Sequence, residues 1–531
     1  MKYRIFVTDE IDPEGVELLA AEPGLQVDES PTLPADVLLQ KIADYDAIIG
    51  RSATKISAEL LRAAKKLKVV GRAGVGVDNI AMDVATELGV AVINAPAGNT
   101  VAVAELVFGV LLNIVRHLSR ADSSMREGRW DRSQLLGSEL KGRTLGIVGL
   151  GRIGSEVASR AHAFGMKVLA YDPYVARGRF ESCRVEHIAS LDEILAESDV
   201  LTVHTPLNDE TSGMIGRREI GKIRPGAIVL NFARGGIVDE DALIDALKTG
   251  KLGAAALDAF SKEPLPKDHP LRTLPNVFLT PHIGASTAEA QRNVAVDACV
   301  AVRDALLQGE LGSSMNVAEV ESGRWKEIQP ALRLTRRAAA IARGVLASQG
   351  ITAVSKIEVR CGQSLAGSRD AILASAAIGA LDAVMENERL NLVNARRVAE
   401  GRGIELSFTE TSAAGEPGFI EVRLGGGMQE FAVAGVGSRI TRIGAFHVDV
   451  QPRDTLLILA NNDVPGVIGQ VGTLLGTAGV NIAEYHQARL ARGGQALAAV
   501  SVDGDIPESV RQTLLQLPEI VSATVVRFKA D

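Results

Sequence analysis

The sequence predicts an α/β protein: a doubly wound parallel-sheet domain inserted in a flavodoxin-like one, then an α+β unit and a ferredoxin-like unit. Three observations lead there. Short β-branched apolar runs alternate with helix-period segments over most of the first 315 residues, the pattern of parallel strands joined by helical crossovers. One of these runs, Leu145-Gly-Ile-Val148, breaks into Gly149-Leu-Gly-Arg-Ile-Gly154, a helical segment through Phe164 and a second run, Lys167–Tyr171, closed by Asp172. Residues 454–531 run strand, loop, helix, strand and then strand, helix, strand, a βαββαβ order.

The glycine segment carries the most specific signal. G-x-G-x-x-G between a strand and a helix, with an acid about twenty residues on, is the Rossmann dinucleotide fingerprint. Gly149 permits the tight turn, Gly151 lets the backbone approach a pyrophosphate, and Gly154 lets helix and sheet pack closely. The helix N-terminus meets the phosphate with free N–H groups and its positive dipole end. Asp172 would accept ribose hydroxyls and repel a 2′-phosphate, which favours NAD over NADP. The alternative is a glycine-rich turn that binds nothing.

The length, 531 residues, suits about three or four domains. A net charge of −8 gives no reason to expect nucleic acid or a membrane surface as partner. Cys183, Cys299 and Cys361 lie far apart without metal-ligand spacing, which suggests a reducing compartment, no disulfide framework and no metal site. MKYRIFVTDE enters a strand pattern at once, and no apolar stretch is long enough to span a bilayer, so a cytoplasmic protein is expected.

Strands are expected at Arg4–Thr8, Leu25–Asp28, Ala47–Gly50, Lys68–Arg72 and Ala91–Asn94, and helices at Pro13–Ala21, Ala35–Ile42 and Ser57–Ala64. A long apolar helix follows from Thr100 through Leu118, more apolar than one core hides, so a subunit interface is plausible there. Later strands fit Val200–Val203, Ala227–Asn231, Gly253–Asp258 and Val277–Thr280, and a helix from Glu289 to Leu307 returns to the first unit. The expected domains are therefore 1–98 with 286–315 for substrate, 99–285 for the nucleotide, 316–452 intervening and 454–531 terminal. The intervening stretch reads as helical segments and then strands around Phe419–Leu424, Glu430–Val436 and Ile440–Val450.

Ligands in doubly wound sheets bind beyond the carboxyl ends of the strands. Arg51-Ser-Ala-Thr54 and Gly71–Asn79 occupy two such ends, although plain turn chemistry explains either loop taken alone. Asn231-Phe-Ala-Arg-Gly-Gly236 puts Arg234 past another, where its planar fork suits a carboxylate. Asp258-Ala-Phe-Ser-Lys-Glu263-Pro264 and Thr280-Pro-His282 end the next two. Histidine as general base, glutamate orienting its ring and arginine clamping a carboxylate suit hydride removal from a hydroxy acid. Taken singly, they read as a surface ion pair, a loop charge and a helix cap.

GLGRIG, NFARGGIVDEDAL, DAFSKEPL and NVFLTPHIGASTAEAQ resemble the signatures of the D-isomer-specific 2-hydroxyacid dehydrogenases. RSATK, RAGVGVDNI and APAGNT, with the long C-terminal extension, are similar to the branch that oxidises 3-phosphoglycerate in the first step of L-serine biosynthesis. The resemblance implies a catalytic triad of Arg234, Glu263 and His282. Beyond the fingerprint glycines, it implies cofactor contacts from Arg152, Ile153, Asp172, Thr205, Ala233, Asp258, His282, Gly284 and Ala285. Arg51, Ser52, Gly74, Val75, Asn99 and Gln291 would line the substrate site. The terminal unit resembles an ACT domain, in which Asn461, Asp463 and Asn481 would hold L-serine as effector; a purely structural module is the alternative. The intervening unit resembles one that takes an anion or the substrate as effector, for which Arg439, Arg442 and Arg453 are candidates, unless they are solvated surface charges. The resemblance also implies a homo-oligomer, dimer or tetramer. Its rivals are a glyoxylate or hydroxypyruvate reductase of the same family and an NAD-sensing co-repressor-like binding protein.

Overall fold

In the computed structural model, residues 3–94 form a parallel sheet of β1 (Tyr3–Val7), β2 (Leu25–Glu29), β3 (Ala47–Gly50), β4 (Val69–Arg72) and β5 (Ala91–Asn94). The structure describes residues 2–318, 320, 324–382, 390–411 and 418–528. The order β2-β1-β3-β4-β5 is the flavodoxin-like one. Ala47, Ile48 and Ile49 are wholly buried, as a strand covered on both faces requires.

A second parallel sheet holds β6 (Thr144–Val148), β7 (Lys167–Tyr171), β8 (Glu186–His187), β9 (Val200–Val203), β10 (Ile228–Asn231), β11 (Ala254–Leu257) and β12 (Val277–Leu279). Its order, β12-β11-β10-β9-β6-β7-β8, reverses direction between β6 and β9, and the loops after those two strands open at that switch point.

Two helices join the sheets. Thr100–Arg116 leads out of the first and packs on the helix Arg152–Ala163. Ala288–Gln308 returns and buries Val294, Ala295, Ala298 and Val302 in one core with Ile5, Val16 and Leu19. Gly15 meets this helix so closely that a Cβ there would sit 2.9 Å from the Ala295 carbonyl carbon. The long apolar helix differs from expectation. His117 adopts the left-handed conformation, φ 56°, and closes it at Arg116; a second helix, Leu118–Arg126, leaves at 63°. Val103, Val107, Val110, Leu111 and Val115 are absorbed by the nucleotide-unit core, while Val101 and Leu118 stay exposed. Among the described residues no single helix is long and apolar enough to cross a membrane.

The intervening unit is a six-stranded sheet: β13 (Lys356–Gly362), β14 (Glu405–Thr411), β15 (Phe419–Gly426), β16 (Gln429–Val436), β17 (Arg439–Ile443) and β18 (Phe446–Val450). Its order is β14-β13-β15-β16-β17-β18, and only β13 and β14 pair in parallel. The stretch expected as one strand, Ile440–Val450, is a hairpin, because Gly444 turns the chain at φ 59°. The terminal unit is β19 (Thr455–Asn462), β20 (Asn481–Arg489), β21 (Gln495–Asp503) and β22 (Ile520–Arg527), antiparallel in the ferredoxin-like order β20-β21-β19-β22. Leu456, Ile458, Leu497, Ala499 and Val526 share a core with the intervening unit.

The helices Trp325–Ser348 and Arg369–Leu381 cross at Gly379, where a Cβ would collide with the Arg336 carbonyl oxygen. Gly379→Ala should therefore force them apart and cost about 1–3 kcal/mol. A urea unfolding curve checks this; an unchanged midpoint would mean the crossing has room to spare.

Candidate active site

The nucleotide loop follows directly from β6. Gly149 has φ 97°, and a Cβ on it would lie 2.7 Å from the His204 carbonyl oxygen. A Cβ on Gly154 would run into the Gly149 carbonyl oxygen, so neither position accepts a side chain. A Cβ on Gly151 meets nothing within 4 Å, and the open space lies at the N-terminus of the helix Arg152–Ala163. Asp172, just past β7, accepts the Leu150 N–H through Oδ2 at 2.8 Å and the Tyr174 N–H through Oδ1 at 2.9 Å. It holds the loop as well as standing where a ribose would come.

Between the two sheets runs a cleft of about 460 Å³. Arg152, Ile153, Thr205, Ala233, Asp258, His282, Gly284 and Ala285 line it, together with Val75, Asn99 and Arg234. Asn99 Oδ1, Thr205 Oγ1 and His204 Nδ1 are buried with no hydrogen-bond partner among the described residues. Buried polar atoms rarely stay unmatched, so this lining fits a polar ligand with hydroxyl, amide and phosphate groups, as a dinucleotide has. Burial pushes the His204 imidazole down to about 3, so it is neutral, and its Nε2 lies 2.9 Å from Thr202 Oγ1.

His282 lines this cleft and also a second cavity of about 800 Å³ bounded by Ser52, Ala53 and Glu263. Its Nδ1 lies 2.8 and 3.0 Å from the two Glu263 carboxylate oxygens. A carboxylate at Nδ1 favours the tautomer with the proton there, which leaves Nε2 free as a base. Glu263 Oε1 also accepts the Phe260 N–H at 2.9 Å. Asp258, buried, accepts the N–H groups of Ile283 and Gly284, each at 2.8 Å, and so anchors the turn in which His282 has φ 54°. Arg234 stands on a turn braced by Asn231, whose Nδ2 donates to the Arg234 carbonyl at 2.8 Å. Its Nε reaches across the cleft to Asp78 Oδ2 at 3.2 Å.

The sequence reading passed over Arg72. It closes β4, and burial first, then the charges of Arg51 and Arg234, pull its guanidinium down to about 10. Its Nε has no partner among the described residues, and Gly74 beside it has φ 155°, a conformation that side chains rarely adopt. Three guanidinium groups from β3, β4 and β10 thus converge on one region, with Asp9 and Asp78 as nearby counter-charges. A multiply charged anion would offset the repulsion that Asp9 and Asp78 leave. An arginine ending an apolar strand is the signal that was available. Gln291 spends its amide on the Ala285 carbonyl, at 2.5 Å, and so braces the cofactor side.

The effector candidates do not come together within one chain. Asp463 sits at the end of β19 beside Arg489 and accepts the Gly493 N–H at 3.0 Å. Asn481 starts β20 and donates to Asp503 at 2.6 Å. The pairings Asn462↔Gln495 and Asn481↔Asp503 lie at opposite ends of β21, roughly 26 Å apart at strand rise. Asn461 is buried inside β19 and not in the loop, with Oδ1 unpartnered among the described residues. Arg439 grips Glu484 at 2.8 Å, Arg442 pairs with Glu421, and Arg453 bonds Gln451 at 3.0 Å.

Residues 108–284 match the family model for the D-isomer specific 2-hydroxyacid dehydrogenase NAD binding domain. Solved structures agree with this class. A protein from Thermus thermophilus is 37% identical at a TM-score of 0.54, and a glyoxylate reductase from Paecilomyes thermophila 31% at 0.55; each comparison covers 59% of this chain and 99% of the other. Over nearly its whole length the chain is similar to curated D-3-phosphoglycerate dehydrogenases. That of Archaeoglobus fulgidus is 38% identical across 99% of this chain and 100% of its own length; that of Bacillus subtilis is 37% identical across 99% of each. The chain belongs to the D-3-phosphoglycerate dehydrogenases within that wider family.

Gly151 has φ −72° and ψ −153°, extended backbone open to any residue. Gly151→Ala should keep stability within about 1 kcal/mol, the scale of a helix-cap change. NAD affinity should fall about tenfold or more, because the methyl enters the space left for phosphate. Thermal unfolding and an NAD titration check the pair; equal NAD affinity would place the pyrophosphate elsewhere.

Proposed function

We propose that this chain oxidises 3-phospho-D-glycerate to 3-phosphohydroxypyruvate with NAD, the first step of L-serine biosynthesis, in the cytoplasm. The observation that carries the reading is the Glu263–His282 pair on the cleft that Arg234 also lines, with Arg51 and Arg72 at the ends of the neighbouring strands β3 and β4. A carboxylate and a phosphate on one small substrate supply the anionic charge that this cluster calls for. Arg234, nearest the cofactor cleft, takes the carboxylate, and Arg51 and Arg72 take the phosphate. His282 Nε2 removes the hydroxyl proton, and Glu263 stabilises the imidazolium that results. The glycine loop Gly149–Gly154 and Asp172 would hold NAD, which would supply the hydride acceptor. In the reverse direction Arg234 polarises the carbonyl.

The substrate of a glyoxylate or hydroxypyruvate reductase offers one carboxylate and no phosphate to these three arginines. A substrate panel followed by NADH absorbance, with and without serine, tests the reading. Faster turnover of glycerate than of its 3-phosphate would favour that reductase, and no turnover at all would favour a binding protein. His282→Ala should lower kcat by on the order of 10²–10⁴-fold while NAD binding persists. Glu263→Gln should cost less, since the base remains. Near-normal turnover by the histidine variant would remove His282 from this role.

Serine is the proposed effector. Because Asp463 and Asn481 stand at opposite ends of the terminal sheet, a single serine touching both needs two copies of the unit side by side, which supports a homo-oligomer. Asp463→Ala and Asn481→Ala should each raise the serine concentration for half-inhibition, with turnover little changed. If the double variant responded to serine as the parent does, the effector site would lie outside this unit.

A further inference from the structure

Asp9 stands just beyond β1 and, of the described residues assigned a role above, hydrogen-bonds only Arg51, through its N–H. Its side chain is buried, the residue being 7% exposed. Both oxygens are committed to neighbouring chain. Oδ2 accepts the N–H groups of Arg51 at 2.8 Å and Thr54 at 2.9 Å. Oδ1 accepts the hydroxyls of Thr54 at 2.5 Å and Thr32 at 2.7 Å. Asn79 completes the tie from the far side, donating to the carbonyls of Arg51 at 2.9 Å and Thr54 at 2.7 Å. The loop Arg51–Thr54 is therefore held at its two ends by one carboxylate and one amide.

The backbone beneath is strained. Asp9 and Glu10 have φ 69° and 50°, two successive residues with side chains in the left-handed region. Such pairs persist only where the surroundings over-determine them, and they gather at functional sites. Burial disfavours the Asp9 charge, yet the bonds from Thr54, Thr32 and the Arg51 N–H outweigh it and hold the carboxyl below its usual range. The group is an anion at neutral pH.

We propose that Asp9 is a positioning residue for the reaction: by fixing the Arg51–Thr54 loop it sets where the Arg51 guanidinium meets the anionic end of the substrate. The inference rests on the reading of Arg51 as a substrate contact. An asparagine could keep its oxygen on the Arg51 and Thr54 N–H groups and turn its NH2 to the two threonine hydroxyls, which accept as well as donate, but all four bonds would lose the carboxylate charge that strengthens them.

Asp9→Asn should raise KM for 3-phosphoglycerate about tenfold or more, with kcat within about threefold and KM for NAD unchanged. Loss of a mere structural brace would instead lower the melting temperature and leave KM alone. Arg51→Ala should raise the same KM, and the double variant should match Arg51→Ala within about twofold, since Asp9 acts through that side chain. A double effect equal to the product of the two single effects would overturn the inference. Thr54→Ser, which keeps the hydroxyl, should behave as the parent, and Thr54→Val should follow Asp9→Asn; these decide the matter if Asp9→Asn does not fold. An unchanged KM in Thr54→Val would then overturn it. A raised KM in Arg51→Ala beside an unchanged one in Asp9→Asn overturns the inference alone, whereas an unchanged KM in Arg51→Ala overturns the substrate reading with it.

Discussion

The turn that carries His282 is held by a carboxylate that never faces solvent. Asp258 is 2% exposed and gives both oxygens to backbone N–H groups of the next strand's loop. Two charge-assisted bonds to successive amides define a plane as well as a distance. A side chain on that turn can then be aimed. His282, with φ 54°, is aimed at Glu263 on one side and at the cleft on the other. Without that anchor the histidine would sit on a free loop, and the pairing with Glu263 would have to order it unaided at a site exposed to water.

The same device recurs at two further strand ends. Asp172 follows β7 and ties down Leu150 in the glycine loop; Asp9 follows β1 and ties down Arg51 and Thr54. In a parallel sheet the carboxyl ends of neighbouring strands lie side by side, so an acid leaving one strand reaches the amides of the loop leaving the next. The geometry of the doubly wound sheet thus supplies partners that the loops themselves lack. Three loops with different proposed tasks, for phosphate, for proton transfer and for substrate charge, are organised by one kind of bond.

Much of this was legible in the sequence because it is local. The glycine spacing, the run Asn231–Gly236 and the strand ends at Asp258 and Thr280 each carry their meaning within a few residues, and the structure sets them around one cleft. Arg72 shows only as an arginine ending an apolar strand, since it matters through residues 51 and 234, and Asp9 was not legible, since it matters through residues 32, 51 and 54. The break at His117 is hidden because apolar periodicity runs up to it, and nothing but the left-handed backbone marks the end. The strand Lys356–Gly362 alternates polar with apolar residues, Ile357, Val359 and Cys361 inward, and could have been read; the helical texture on either side of it masked the period.

The terminal unit cannot act on the cleft as a free appendage. Its sheet shares a core with the intervening unit, and Glu484 on β20 is gripped by Arg439 on β17 and by the Gln451 N–H at 3.0 Å. The intervening unit in turn touches the substrate unit, where Asn391 donates to the Gly89 carbonyl at 2.7 Å just before β5, and Trp325 donates to the Gly309 carbonyl at 3.2 Å just past the returning helix. Contact alone is no coupling; some element along the route must have two arrangements that both ends bias. The cleft is where such an element would lie, because its two walls belong to different sheets joined by two helices, and Arg234 reaches Asp78 across it. A displacement passed to Gly89 and Gly309 would move the wall that bears Arg51 and Arg72 relative to the wall that bears His282. Regulation through this route would therefore be felt as a change in how the arginines close on substrate, while the glycine loop, on the opposite wall, stays as it is.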